Sequence, residues 1–227
     1  MKYKKVLVTG GAGFIGSHTV DLLLKKGYKV RVLDNLQERV HPKGKPKYLP
    51  REVEFVKGDV TNPKDLLRSL KGVDAVFHLA AYQDYMPDFS RFIHTNSEST
   101  ALLFELILAH KLPIKKIVFA SSQSVAGDGK WKCKTHGEFW AEQRPVEQLQ
   151  KGEWDLKCPK CKKPAKNVLM TEDIAKPITT YGVSKYTIEL LADVLGKKYN
   201  IPTVCLRYTY VQGPRNSIYN AYSGIAR

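Results

Sequence analysis

A chain of 227 residues, 43% apolar and 26% charged, is long enough for one sizeable core and part of a second lobe. No apolar run approaches the roughly 18 residues needed to cross a bilayer, which excludes a spanning helix on sequence grounds. The formal charge of +15 is scattered rather than blocked, the pattern of a lysine-rich solvated surface that still favours anionic ligands.

The N-terminus carries Lys2, Lys4 and Lys5 ahead of an apolar run that Gly10, Gly11, Gly13 and Gly16 cut short. No small-residue cleavage site follows, so a cytoplasmic location is expected. A first strand is predicted at residues 5–9, then a helix at 13–26 with Ile15, Val20, Leu22, Leu23 and Leu24 at helical spacing. Further strands are predicted at 29–33, 53–56, 75–79, 116–120 and 203–206. Thr61, Asn62 and Pro63 mark a helix start, and longer helices are predicted at 90–110 and 179–199. Apolar strands alternating with helices predict an α/β fold, a Rossmann-like doubly wound parallel sheet covered on both faces. Residues 128–176 break the pattern: scattered aromatics, many lysines, three of the four cysteines and little periodicity mark an insertion.

Gly10, Gly13 and Gly16 lie between the first strand and the first helix. In that context the first permits a tight turn, the second lets backbone approach a pyrophosphate, and the third lets the helix pack close to the sheet. The helix N-terminus offers free N–H groups to phosphate. Asp34 ends the second strand, where a carboxylate accepts from ribose hydroxyls and repels a 2′-phosphate, so NAD is expected over NADP. The alternative is a structural glycine turn with a helix-capping Asp34.

FASSQSVAG follows the fifth strand, and TTYGVSKY opens the later helix. Tyr181 and Lys185 are four residues apart and share a helix face. A phenol with a pKa of about 10 is a poor base near neutrality. A neighbouring ammonium lowers that value toward one suited to moving an alcohol proton. Ser122 or its neighbour is placed to hydrogen-bond the same oxygen. Taken alone, Tyr181 and Lys185 would more often be a coincidence of a helix surface than a site; the glycine turn and the serine-rich strand end are what give the pair meaning.

TGGAGFIG, LDNL, GDV, VFHLAA, FASSQSVAG, YGVSK and LRYTYVQGPR occur in that order. With these motifs the chain resembles the extended short-chain dehydrogenase/reductase family of nucleotide-sugar epimerases and dehydratases, over nearly all of its length outside the insertion. The resemblance implies that Phe14 and Ile15 lie at the pyrophosphate and that Asp34 and Asn35 hold the ribose. It implies that Asp59 and Val60 flank the adenine, that Leu79, Ala80, Ala81 and Thr95 line the cofactor, and that Lys185 binds the nicotinamide ribose. Ser122, Tyr181 and Lys185 take the catalytic positions. The implied reaction is NAD-dependent epimerisation of a nucleotide-sugar, at C4, through a transient keto-sugar, by a homodimer with no membrane or nucleic-acid partner. The alternatives are another sugar-nucleotide enzyme of the family, a decarboxylase or reductase, or a non-catalytic module binding NAD or nucleic acid. Gln123 and Ser124 stand where the family's 4,6-dehydratases carry Asp-Glu, which argues against loss of water. Tyr210 stands where members often carry an Asn that faces the sugar.

Cys133-Lys-Thr-His136 and Cys158-Pro-Lys-Cys161 form two knuckles within the insertion. Four such ligands suit a closed, structural Zn2+ site, whose binding would supply folding free energy to a segment poor in core residues. A redox pair at Cys158 and Cys161, or four unligated residues, are the alternatives. Some epimerases of the family look similar, with a cysteine-rich insertion here. Cys205, His78 and His94 are expected to be structural. The organisation expected is an NAD-binding domain over 1–210, interrupted by a zinc-knuckle insertion over 128–176. The start of an incomplete substrate lobe is expected over 211–227, so that the chain binds NAD and zinc but turns over sugar nucleotides poorly.

Overall fold

The computed structural model describes residues 3–217. The first strand, β1 (Lys5–Thr9), leads through the glycine turn into α1 (Phe14–Lys25) and β2 (Lys29–Asp34). The chain continues through β3 (Glu54–Lys57), α2 (Pro63–Leu70) and β4 (Ala75–His78). Asn62 caps α2: its side chain accepts from the N–H groups of Lys64 and Asp65, and Pro63 follows with its fixed φ. Then come α3 (Phe89–Phe92), α4 (Ser99–Ala109) and β5 (Lys116–Ser122). After the insertion, α6 (Thr180–Lys198) and β9 (Thr203–Tyr208) complete the main sheet.

That sheet has six strands in the order β3-β2-β1-β4-β5-β9, all parallel. The order reverses beside β1, which opens a crevice at the carboxyl ends of β1 and β4. Alternation along β1 explains the two-sided burial. Leu7 joins the larger core with Leu33, Val76, Leu103, Phe104, Ile117, Phe119 and Ile188, which brings in α4 and α6. Val6 and Val8 point the other way, into a smaller core with Val20, Leu23, Val30 and Val32 beneath α1.

The helix predicted at 90–110 is present as an unbroken helical run over 89–109, but it is not α-helical throughout. Between α3 and α4 the chain widens into a π-helical turn, Ile93–Glu98. Two hydroxyls in the following turn take carbonyls back: Ser99 Oγ donates to Thr95 O at 2.6 Å and Thr100 Oγ1 to Asn96 O at 2.9 Å. Such bonds compete with the regular ladder, and π-turns of this kind recur at functional sites. Asn96 is fully buried, and its side chain pairs with the backbone of Tyr82 and with Ser184 Oγ.

The segment 128–176 has more order than its sequence suggests. Strands β6 (Lys130–Cys133), β7 (Gly137–Trp140) and β8 (Lys166–Asn167) form an antiparallel sheet in the order β7-β6-β8, and α5 (Val146–Gln150) lies between β7 and β8. Of the expected C-terminal stretch, residues 218–227 lie outside the described residues. Residues 213–217 run back over α1: Pro214 O meets His18 Nε2 at 3.0 Å, Arg215 pairs with Asp21 at 2.7 Å, and Ser217 Oγ donates to Val40 O at 3.3 Å.

Candidate active site

A cleft of about 600 Å³ lies across the carboxyl ends of the strands, and every residue assigned to catalysis or cofactor from sequence lines it. Its floor is the glycine turn. Gly10 has φ +65°, and a Cβ there would lie 2.8 Å from the backbone of Ala80, so the position excludes a side chain twice over. A Cβ on Gly16 would meet Gly10 O at 2.1 Å; α1 therefore sits directly on the turn. The cap of α1 is Gly13, which has no side chain to occupy the first N–H groups, and the first residues of α1 line the cleft, an arrangement suited to an anion.

Asp34 is 8% exposed and holds this turn to its own strand. Its Oδ2 accepts from Ala12 N at 3.0 Å and its Oδ1 from Leu36 N at 2.9 Å. Each carboxylate oxygen keeps a further acceptor position, so the ribose role expected from sequence is compatible with a structural one that sequence did not foresee. Asn35 Nδ2 donates to Asp59 Oδ2 at 2.9 Å. Burial opposes ionisation of Asp59, but hydrogen bonds from Thr61 and Asn35 outweigh it and hold the carboxyl below the usual range.

At the other end, Lys185 is 2% exposed and its Nζ donates to Ala120 O at 2.8 Å. Burial pulls its pKa down to about 8. The ammonium lies 5.7 Å from the centroid of the Tyr181 ring, which also meets the edge of Phe92 at 6.2 Å. Thr179 caps α6 by accepting from Gly182 N at 3.0 Å, which fixes the helix start one residue before Tyr181. A Cβ on Gly182 would lie 2.5 Å from Ser124 O, so α6 is pressed against the serine turn. In that turn Ser124 N donates to Ser122 Oγ at 3.1 Å.

His78 is buried and links the end of β1 to the start of α4. Thr9 Oγ1 accepts from the N–H groups of Leu79 and Ala80 at 3.1 and 3.2 Å, which leaves its proton for His78 Nδ1 at 3.1 Å. His78 Nε2 then donates to Ser99 Oγ at 3.1 Å, and Ser99 donates to Thr95 O. Burial, followed by the charge on Lys185, pulls the imidazole down to about 3, so it stays neutral. His94, by contrast, is exposed at the rim and pairs with Glu98 at 2.7 Å. Cys205 packs against the larger core, and burial pushes its thiol up to about 11. Sequence reasoning did not assign His41, Tyr82, Arg91 or Tyr208, which also line the cleft; only Tyr208, inside LRYTYVQGPR, stood within a motif. Tyr210, at the variant motif position, is 61% exposed and faces the same cleft.

The two knuckles of the insertion converge. Cys133, His136, Cys158 and Cys161 place one ligand atom each within 4.8 Å of all the others. Cys133 Sγ lies 3.7 Å from His136 Nδ1 and 3.7 Å from Cys161 Sγ, and Cys158 Sγ lies 3.4 Å from His136 Nδ1. Thiolates about 2.3 Å from a tetrahedral zinc stand roughly 3.8 Å apart, so these edges fit the ion. Backbone N–H groups of Thr135 and His136 pull the Cys133 thiol down to about 6, toward the thiolate a metal needs. The cysteines form no disulfide.

A parallel sheet in this strand order, with a glycine turn, an acid ending β2 and a Tyr181–Lys185 pair facing one cleft, defines a dinucleotide-binding fold of the short-chain dehydrogenase/reductase type. The chain matches the NAD dependent epimerase/dehydratase family over residues 6–150 and 157–225, and it belongs to that family. It is 31% identical to the dTDP-L-rhamnose 4-epimerase of Burkholderia thailandensis over 98% of its own length and 62% of that protein's. It is 30% identical to the UDP-glucose 4-epimerase of Halalkalibacterium halodurans over 92% of its length and 51% of that protein's. A crystal structure of UDP-glucuronic acid 4-epimerase from Bacillus cereus in complex with NAD superposes with a TM-score of 0.69 at 30% identity, over 94% of this chain and 59% of that one. The chain therefore spans about half to three fifths of the length of these relatives. Among the described residues no helix is long and apolar enough to cross a membrane.

Proposed function

We propose that residues 1–210, interrupted by 128–176, form the NAD-binding unit of a cytoplasmic, homodimeric nucleotide-sugar 4-epimerase. The observation that carries this reading is a single cleft holding the glycine turn and Asp34 at one end and Ser122, Tyr181 and Lys185 at the other. A cradle that a Cβ at Gly10 or Gly16 would fill, beside an open helix N-terminus, fits a pyrophosphate. Bound NAD would supply a hydride acceptor that later returns the hydride to the opposite face of the sugar.

Within that scheme the chain's own residues have defined work. Tyr181 takes the proton of the sugar hydroxyl and gives it back. Lys185, over the Tyr181 ring and short of solvent, favours the phenolate electrostatically. Ser122 fixes the sugar oxygen within reach of Tyr181. The Cys133, His136, Cys158 and Cys161 cluster holds a structural Zn2+, since it offers four protein ligands and no open position.

The test is a screen of sugar nucleotides against the NAD-loaded protein. Absorbance reports reduced nicotinamide, and NMR of the sugar identifies the inverted carbon. A C4 epimer from at least one nucleotide-sugar supports the reading. A decarboxylated or deoxygenated product, or no spectral change with any sugar together with salt-sensitive nucleic-acid binding, contradicts it.

A further inference from the structure

We infer that Arg207 is a positioning residue that transmits the order of the metal-bearing insertion to the catalytic helix. Arg207 lies in β9 opposite Ser121 in β5, the residue before Ser122. Glu189 reaches the same spot from α6, one helical turn beyond Lys185 and two beyond Tyr181, hence on the same face. Arg207 Nε donates to Glu189 Oε1 at 2.9 Å and Nη2 to Oε2 at 2.8 Å, a two-pronged pair on a mostly buried carboxylate. Ser121 Oγ donates to the same Oε1. The remaining arm, Nη1, donates to the carbonyls of Glu172 at 2.7 Å and Ile174 at 3.0 Å, in the last residues of the insertion.

One guanidinium thus ties three pieces together: the insertion's exit, the strand bearing Ser122, and the face of α6 bearing Tyr181 and Lys185. Only Arg supplies donors on three nitrogens in a rigid plane; a Lys at this position would keep the charge and lose the fork. A backbone bond from Lys176 N to Val125 O at 2.9 Å fastens the exit to the serine turn beside it. The insertion accordingly sets the pose of the catalytic face, and Arg207 is the side chain through which it does so. This inference rests on the catalytic roles proposed for Tyr181 and Lys185 and on zinc binding by the insertion.

Hydrogen exchange read by mass spectrometry tests it on the purified chain, as wild type, Arg207→Met, Arg207→Lys and Glu189→Gln, before and after zinc removal by a chelator. Arg207→Met should speed exchange at 179–185 by about tenfold or more, and Arg207→Lys should restore part of the protection. Zinc removal should loosen 171–178 in every protein but spread to 179–185 only where Arg207 and Glu189 are intact. Unchanged protection at 179–185 in Arg207→Met overturns the inference. Equal loosening there on zinc removal in wild type and Arg207→Met also overturns it, because the signal would then travel by another route. Should Arg207→Met fail to fold, Glu189→Gln carries the same expectations. If the protein holds no zinc the chelator is silent in all four proteins, which sinks the metal reading, while the Arg207→Met comparison still decides the tether.

Discussion

Under the proposed function Tyr181 and Lys185 carry the chemistry, and each yields a separable expectation. Tyr181→Phe keeps the ring against Phe92 and removes the proton acceptor. Turnover of an accepted sugar nucleotide should fall about 100-fold or more with NAD still bound; near-normal turnover removes Tyr181 from the role. Lys185 has a folded pKa pulled from 10.5 to about 8 by burial. Between those values the unfolded chain holds a proton that the folded chain has lost, so this group makes stability rise with pH across that window and stay flat below it. Chemical denaturation from pH 7 to 10 should show that rise, on the order of 3 kcal/mol, in wild type and not in Lys185→Met. Parallel curves would mean that Lys185 is not buried as described. Asp34→Ala strips acceptors from Ala12 N and Leu36 N. It should weaken NAD binding by roughly 1.5–3 kcal/mol for each charge-assisted bond lost and lower the melting temperature as well. Loss of affinity with unchanged stability would show that the turn does not depend on the carboxylate.

At the scale of elements, the glycine turn is the least forgiving part of the fold. Gly16→Ala places a methyl 2.1 Å from Gly10 O, a backbone atom that cannot swing aside. The substitution should cost well over 1 kcal/mol and abolish NAD binding, as calorimetry and thermal melts would reveal. The six parallel strands and the glycine turn are where periodicity and punctuation placed them, because their signals are local: apolar runs between Gly, Asn and Pro. The π-helical widening at Ile93–Glu98, inside the helix predicted at 90–110, was not legible. It coincides with a pair of hydroxyls, Ser99 and Thr100, that take carbonyls four residues back, and with a buried Asn96 committed to Tyr82 and Ser184. Each residue looks ordinary in sequence; only tertiary contacts give it a task. The small sheet inside 128–176 was hidden for a related reason. Its strands are two to four residues long, too short for alternation to register, and Cys133 at the end of β6 meets His136, Cys158 and Cys161 only through the fold. The knuckle spacing was the one signal that survived. The contact of Arg207 with Glu189 and with the insertion's exit left no sequence trace, since the partners are 18 and more than 30 residues away.

For the molecule as a whole, the proposed zinc site would make the insertion the part whose stability depends on a ligand. Replacing Cys158 and Cys161 together with Ser should remove zinc measured by atomic absorption and expose 128–176 to protease, while the parallel sheet, with its own two cores, stays folded. Retained zinc would place the ion elsewhere. The central claim is that the cleft is a dinucleotide site selective for NAD, and calorimetric titration of the purified chain with NAD+ and NADP+ tests it most directly. The expected result is one NAD+ per chain with NADP+ bound at least about tenfold more weakly, since the Asp34 carboxylate opposes a 2′-phosphate. Equal affinity, a preference for NADP+, or no NAD+ binding would contradict it.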